Sequence, residues 1–401
     1  MCTLLRRGFT RFGKNTVKIG GSTPFVFEIL FLQCNDNGVL KSTRNMRLSA
    51  IGAAFALFAL AAFPAQAQHA PLPLGTINPR TVTKLNSCPV GFYPGMTCFH
   101  GEVDSCHNAD NLAFTYGYED PRQPALGTIV FLEGSGGTSA YTDPIYAQTY
   151  LQSGYQVVYL AWDTDWENTK GDVGNSIRDA ACRPATFLQY VYQNVYTRGG
   201  MCAQGASAGA GAVGYSLAWY GGSSFLDHVE LLSGPVFSDI GQGCIVPNPS
   251  KVTVCPYGQY GCVGDPWFDS PSYVDGAETQ VGGWSGSSSC NNVPKTTDVE
   301  NDAWKTMSIV DGTSNPSFNY PLTSMAGWLC SSVDSIQNNS AAQGEYFYEQ
   351  LTLPNQTAGL TLTRINNCQG DEGVTQGQTP SGQNGFNAIS DSMIDACVKR
   401  H

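Results

Sequence analysis

The sequence predicts an α/β fold, in which strands and helices alternate along the chain, with a cysteine-rich insertion. Three observations support this prediction. The apolar, β-forming residues 128–132 run directly into a glycine-rich segment at residues 133–138. Further along, residues 205–209 read Gly-Ala-Ser-Ala-Gly, a G-x-S-x-G pattern. Around both segments, apolar runs typical of strands alternate with stretches of helical spacing.

The first 67 residues are predicted to lie outside the mature fold. Met46 and Arg47 precede an apolar run over residues 51–63, and Ala65-Gln66-Ala67 supplies an A-x-A cleavage pattern. This order is that of a secretory signal peptide over residues 46–67, cleaved after Ala67. The apolar run is too short to span a membrane. Residues 1–45 are interpreted as an upstream extension from a start assigned too early, and the mature protein as extracellular or periplasmic, without a membrane partner.

The first half of the mature domain, residues 68–401, has the clearest strand and helix patterns. Residues 112–118 alternate as a half-buried strand does, whereas residues 128–132 are continuously apolar and suit a central strand buried on both faces. A helix over residues 187–195 ends at Gly199-Gly200, and a second follows at residues 207–219. The strands are predicted at residues 98–103, 112–118, 128–132, 156–162, 201–204 and 228–232.

The second half is less regular. Residues 241–300 hold four cysteines among glycine, serine, proline and aromatic residues, which predicts a disulfide-held cap over the carboxyl edge of the sheet. This cap either shapes a substrate pocket or lies on the surface without contact to the substrate. Residues 307–310 are predicted as a strand that leads into Asp311, and residues 312–358 as a polar connection. The last strand is predicted at residues 360–365 and a closing helix at residues 386–398.

Composition limits the partners. The formal net charge of −11 becomes about −17 when the eight basic and two acidic residues of segment 1–67 are removed. Such a charge repels phosphate backbones and anionic surfaces, so nucleic acid is not an expected partner. Twelve cysteines remain, an even number that indicates disulfides in an exported chain, although spacing leaves their pairing open. The cysteines and histidines lack zinc-site spacing, so no metal is expected.

Residues 205–209 and 133–138 have spacings that suit catalysis. A serine between small residues can occupy a sharp, strained turn from strand to helix, where its hydroxyl is presented as a nucleophile. Glycines after a strand let backbone N–H groups approach a substrate carbonyl. Ser207 is therefore the predicted nucleophile.

Together these segments resemble the α/β-hydrolase family over most of residues 88–401, and its secreted esterase-like members in particular. The resemblance implies a mostly parallel sheet flanked by helices, no cofactor, and a nucleophile, an acid and a histidine in that chain order. Ser207 matches the nucleophile. Backbone amides of Ala208 and of Ser135 or Gly136 match the oxyanion hole. Asp311 matches the acid, with Asp239 as the alternative.

The histidine is where the chain departs from the family. Three of the five histidines, His69, His100 and His107, precede the third predicted strand, and His228 opens a strand. The closing helix is about 20 Å long and carries His401 away from the edge where it starts. Asp371 and Glu372 occupy the position after the last strand.

Three interpretations of the base follow. Glu372 is the base, which a carboxylate can be when burial raises its pKa; His401 folds back to Ser207; or the base is lost and the chain is a secreted binding protein. The leading prediction is a secreted hydrolase of carboxylic esters acting through an acyl-enzyme at Ser207, with Asp311 and Glu372 as partners. The acidic charge and the aromatic residues Trp162, Trp166 and Trp284 favour a neutral substrate, small or polymeric.

Overall fold

The computed structural model describes residues 70–140, 144–167, 177–240, 306–310, 317–330, 339–351, 357–368 and 373–400. The predicted signal peptide, the upstream extension and the predicted cap lie outside these ranges. Asp311, Glu372 and His401 lie outside them as well. Within the described ranges, no helix has the length and hydropathy of a membrane span.

A nine-stranded sheet is the centre of the fold, with lateral order β1-β2-β3-β5-β4-β6-β7-β8-β9. The pairs β1–β2, β2–β3 and β3–β5 are antiparallel, and every pair from β5 across to β9 is parallel. The strands are β1 (Thr83–Lys84), β2 (Thr97–Val103), β3 (Leu112–Glu119), β4 (Gly127–Leu132), β5 (Gln156–Trp162), β6 (Gly200–Ala206), β7 (His228–Leu232), β8 (Tyr320–Cys330) and β9 (Thr357–Ile365).

Helices cover both faces of this sheet. They are α1 (Pro144–Gln152), α2 (Ile177–Ala180), α3 (Cys182–Asn194), α4 (Ala208–Trp219), α5 (Asn339–Leu351) and α6 (Gly385–Ala396). Side chains of α3, α4 and α5 join one hydrophobic cluster, and those of α1 and α6 join the other. Strand β4 is buried at all six positions because its alternate side chains face the two clusters. The predicted α/β class, with a mostly parallel sheet flanked by helices, is confirmed.

Two predictions for the second half were wrong. Residues 306–310 form no strand; they pack beneath α4, where Tyr215 Oη donates to Met307 O and Trp219 Nε1 donates to Ile309 O. The stretch predicted as a polar connection contains β8 and α5. Strand β8 carries buried Thr323 and Ser324, whose hydroxyls bond the chain before and within β7. Tertiary neighbours therefore satisfy polar groups that make this segment look like a loop.

Four disulfides join the eight cysteines of the described ranges: Cys88–Cys98, Cys106–Cys182, Cys202–Cys397 and Cys330–Cys368. They bear out the disulfide prediction for this part of the chain and are compatible with an extracellular location. Cys330–Cys368 joins the end of β8 to the segment after β9. Cys202–Cys397 joins β6 to the residue after α6 and spans 195 residues.

Removal of the Cys202–Cys397 disulfide by a double alanine substitution is expected to lower the free energy of unfolding by about 2–5 kcal/mol, because this bond closes the longest loop among the four described disulfides. Urea unfolding measures the change. The matched control is the Cys88→Ala and Cys98→Ala pair, whose bond spans 10 residues. An equal or larger loss in that control would contradict the loop-length explanation.

Candidate active site

Ser207 forms the turn between β6 and α4. Its backbone has φ 51° and ψ −118°, a conformation that non-glycine residues rarely adopt and that costs energy. The Ser207 N–H donates to Leu232 O at 2.9 Å, and the Ser207 carbonyl accepts from the Gly211 N–H at 3.0 Å. The turn is thus held from β7 on one side and from α4 on the other. The side chain is 9% exposed, at the edge of the core.

The two glycines of the G-x-S-x-G pattern are required by close backbone contacts. A Cβ on Gly205 would lie 2.4 Å from Gly209 O. A Cβ on Gly209 would lie 2.1 Å from Leu132 O, at the end of β4. Both distances are shorter than any real contact, so a side chain at either position would push β6, α4 and β4 apart. The motif therefore describes the packing of this turn as well as its chemistry.

The loop after β4 lies directly against Ser207. A Cβ on Gly134 would be 3.0 Å from Ser207 Cβ. The Gly134 N–H donates to Glu133 Oε1 at 2.9 Å, and the Gly137 N–H donates to Gly134 O at 2.9 Å. Among the described residues, the Gly136 N–H has no backbone acceptor, and Ser135 precedes it in the same turn. These are the two loop residues that the sequence singled out as oxyanion donors.

The third predicted donor is the N–H of Ala208, the first residue of α4. The first N–H groups of a helix have no intrahelical acceptor, and the helix dipole makes this end positive. The three predicted donors therefore belong to the two segments that meet at Ser207. Their role as an oxyanion hole stays a prediction.

The two segments meet at a break in the strand order. Strands β4 and β6 are parallel neighbours, and Leu132 pairs with Gly205. From β4 the chain continues to β5 on one side, whereas from β6 it continues to β7 on the other. The carboxyl ends of strands at such a topological switch point form the crevice in which open α/β sheets bind ligands. In the α/β-hydrolase fold, a strained serine lies at a strand–turn–helix junction of this kind and faces the loop of a neighbouring strand.

The chain has the α/β-hydrolase fold. No family model and no curated protein matches its sequence. Among solved structures, an acetyl xylan esterase from Paenibacillus sp. R4 is similar at 13% identity, over 82% of this chain and 90% of that one, with a TM-score of 0.47. Fungal esterases from Rhizomucor miehei are similar at 12% identity, over 76% and 85%, with a TM-score of 0.44. A bacterial heroin esterase is similar at 9% identity, over 76% and 84%, with a TM-score of 0.42.

None of the three described histidines lies beside Ser207. His228 is 2% exposed at the start of β7, the far end from Ser207, and its Nδ1 is 2.8 Å from Ser324 Oγ. His100 is on β2, four strands from β6, or about 19 Å at the usual strand spacing. His107 is exposed in the connection after β2.

The chain next to each remaining histidine also lies far from Ser207. Near His69, the Leu72 N–H donates to Trp219 O at the last residue of α4, about 18 Å along that helix from Ser207. Near His401, the Arg400 N–H donates to the carboxylate of Asp227, which directly precedes β7. That edge is separated from Ser207 by the length of β6, about 20 Å. The described chain beside His69 and His401 therefore lies away from Ser207, and the identity of the base stays a prediction.

The predicted carboxylates lie outside the described residues, and their flanking chain can be placed. On one side of Glu372, Cys368 forms a disulfide with Cys330, and on the other side Gly373–Thr375 form a 3-10 turn. Both follow the carboxyl ends of β8 and β9, the same edge of the sheet as Ser207. Asp311 follows Val310, whose N–H donates to Ser238 O.

Two further aspartates bear on the acid. The alternative acid, Asp239, has its backbone N–H and carbonyl bonded to the side-chain amide of Gln343. Strand β8 ends at Cys330, and Asp334 follows four residues later, outside the described ranges. Its position in the sequence makes it a further candidate for the acid. The sequence did not single out Asp334 because β8 was not predicted.

The predicted aromatic contacts to substrate need a correction. Trp162 and Trp166 are 3% and 1% exposed, and they belong to the hydrophobic core. Both pack against Gly137, where a Cβ would lie 2.9 Å from Trp162 Cδ1 and 3.5 Å from Trp166 Cδ1. They support the loop after β4 from below, because the loop's glycines leave room for the indole rings. Trp284 lies outside the described residues.

Two carboxylates beside this loop were not singled out from the sequence. Asp165 packs against Gly136, where a Cβ would lie 2.3 Å from Asp165 Cγ, and burial raises the pKa of Asp165. Burial also raises the pKa of Glu167 well above its ordinary value, and the charge of Asp165 adds to this shift. One carboxyl oxygen of Glu167 has no hydrogen-bond partner within the described residues. Their only sequence signal was a polar turn after a strand.

The Glu167→Gln variant is expected to be more stable than wild type at pH 8, and this advantage should shrink as the pH falls toward 4. The folded protein holds a proton on Glu167 that the unfolded chain has released, so wild-type stability falls as the pH rises. Urea midpoints from pH 4 to 8 measure this. Exposed Glu102→Gln is the control, and a pH-independent difference for Glu167→Gln would contradict the explanation.

Proposed function

We propose that the chain is a secreted serine hydrolase of neutral carboxylic esters that acts through an acyl-enzyme at Ser207. The observation that carries this proposal is the backbone of Ser207, held at positive φ between β6 and α4 against the glycine loop after β4. A strained serine persists where the surrounding structure fixes it, and such strain is concentrated at functional sites.

The proposed reaction has two steps. Ser207 Oγ attacks the ester carbonyl, and the resulting oxyanion is bound by the N–H groups of Ala208 and of Ser135 or Gly136. The alcohol leaves with the proton taken from the serine. Water then attacks the acyl-enzyme, the carboxylic acid is released, and Ser207 regains its proton. Donors held in place before the reaction stabilise the oxyanion because they need no reorganisation.

We propose Glu372 as the base that receives the Ser207 proton. The family places its base after the last strand, and β9 ends at Ile365, seven residues before Glu372. The positions of the histidines and of their neighbouring chain support a carboxylate in this role. Asp311 is the predicted acid that would orient the base, and Asp334 is the candidate that the extent of β8 adds.

The substrate proposal rests on charge. A mature domain with a formal charge of about −17 repels an anionic substrate, so neutral esters are favoured. Hydrolysis of p-nitrophenyl butyrate and of the anionic p-nitrophenyl hemisuccinate, compared at low and high salt, tests this. We expect the neutral ester to have the higher kcat/KM, and the difference to narrow as salt screens the charge. Preference for the anionic ester would contradict the proposal.

A secreted binding protein on the same scaffold is the second candidate. The absence of a histidine beside Ser207 within the described residues is the observation that favours it. Such a protein would retain the fold and the serine turn, and its hydroxyl would lack an activating base. Reaction of Ser207 with a fluorophosphonate therefore separates the two candidates, because it requires an activated hydroxyl.

A further inference from the structure

A buried arginine lies behind the loop that approaches Ser207. Arg183, in the first turn of α3, is 1% exposed. Its Nε and Nη2 donate to Asp110 O at 2.9 and 2.7 Å, and its Nη1 donates to Trp166 O at 2.8 Å. Burial lowers its pKa to about 10, so the guanidinium is charged at neutral pH. Burying a charge costs free energy unless the charge is paired and hydrogen-bonded, and the three hydrogen bonds of Arg183 offset this cost.

Trp166 links this arginine to the loop after β4. The Trp166 carbonyl accepts from Arg183, and the Trp166 N–H donates to Gly136 O at 3.0 Å. On the other side of the same turn, Asp165 Oδ1 accepts the Glu167 N–H at 2.9 Å while the Asp165 carboxyl packs against Gly136. The turn at residues 165–167, which Arg183 holds through Trp166, therefore fixes the conformation of Gly136 at φ 75°.

A disulfide holds the chain next to Arg183 in place. Cys182, the residue before Arg183, forms a disulfide with Cys106 in the connection between β2 and β3. Asp110, whose carbonyl accepts two bonds from Arg183, belongs to the same connection. The guanidinium thus joins two segments that are covalently tied next to it, and it can act as a rigid support for the third segment, at Trp166.

We propose that Arg183 is a positioning residue of the oxyanion hole, which acts through the Trp166 peptide to hold Gly136 in place. The inference rests on the proposed function. Loss of one oxyanion donor costs about 10²–10³ in kcat, and small misplacements of catalytic groups reduce rate strongly. Because a positioning defect acts on the transition state and leaves substrate binding intact, it lowers kcat without raising KM.

The test compares Arg183→Met and Arg183→Lys with the control Arg198→Met. Arg198 also donates to a backbone carbonyl, that of Ala125 at 2.9 Å, and it precedes β6 at the edge away from Ser207. The readouts are kcat and KM for p-nitrophenyl butyrate and the Ki of phenylboronic acid, which forms a tetrahedral adduct with a serine. Thermal unfolding reports stability separately.

Arg183→Met is expected to lower kcat by about 10–100-fold and to leave KM within about twofold of wild type. The Ki of phenylboronic acid should rise by a factor similar to the loss in kcat. Arg183→Lys keeps the charge but cannot hold both carbonyls in the same way, so we expect an intermediate kcat. Arg198→Met should match wild type in kcat, KM and Ki.

An Arg183→Met protein that is less stable but retains wild-type kcat and boronate affinity would overturn the inference, since the arginine would then be structural only. If that variant does not fold, Arg183→Lys and Gly136→Ala carry the test, the latter because its Cβ collides with Asp165. Unchanged kcat in both would also overturn it. Absence of hydrolysis by wild type would defeat the proposed function itself, which is a distinguishable result.

Discussion

Replacement of Ser207 by alanine is expected to lower kcat/KM for p-nitrophenyl butyrate by at least about 10³-fold, because the acyl-enzyme cannot form without the hydroxyl. The residual rate would come from the oxyanion donors, which remain in place. The Cβ of alanine preserves the contact with Gly134 and leaves the backbone bonds of the turn intact. Folding should therefore be retained, and steady-state kinetics with circular dichroism measures both effects.

The matched control for this variant is Ser216→Ala. Ser216 is a buried serine of α4, the helix that begins directly after Ser207, and its hydroxyl donates to Ala212 O at 2.7 Å within that helix. Loss of that bond affects stability and leaves the turn at Ser207 unchanged. A Ser207→Ala protein that keeps most of the wild-type kcat/KM would show that hydrolysis takes place elsewhere or by another route.

Replacement of Glu372 by glutamine is expected to lower kcat by about 10²–10⁴-fold, the usual contribution of a general base. The neighbouring Asp371→Asn is the matched control, since it removes the same charge one residue away. His401→Ala should leave kcat unchanged, as the tail up to Arg400 is bound at the opposite edge of the sheet.

The pH profile gives a second readout of the same base. A general base must be deprotonated, so kcat/KM falls as the pH drops through its pKa. Carboxylates titrate about two units below imidazole in model peptides, near 4.3 against 6.5. A carboxylate base whose pKa burial raises from this lower starting value is therefore expected to work best at mildly acidic pH. Full activity of Glu372→Gln, or its loss in His401→Ala, would contradict the assignment.

The part of the site that the sequence predicts is the part whose contacts are local. The glycines at 205 and 209 are needed because β6, α4 and the end of β4 are in contact there. Five consecutive residues therefore indicate how these three elements pack. The same holds for the loop after β4, where Gly136 and Gly137 adopt the positive φ angles that the tight turn needs. Short-range geometry of this kind is readable from residue type.

The parts that were missed depend on distant neighbours. Strand β8 is buried by β7 and β9, and Tyr348 of α5 occupies the space above Gly327, so its polar residues gave no strand pattern. Residues 307–310 look like a strand because they are mostly apolar, yet they are buried beneath α4 and pair with no strand of the described ranges. The link from Arg183 through Trp166 to Gly136 joins three separate segments, which spacing along the chain cannot reveal.

The most direct test of the central claim is mass spectrometry of the folded mature protein, residues 68–401, after treatment with a fluorophosphonate. Only an activated hydroxyl reacts quickly with this reagent, and no knowledge of the substrate is needed. The account predicts one adduct, on the peptide that contains Ser207, absent from Ser207→Ala and from heat-denatured protein. An unlabelled folded protein, or labelling spread over other serines at similar rates, would contradict the claim that the turn after β6 presents a catalytic nucleophile.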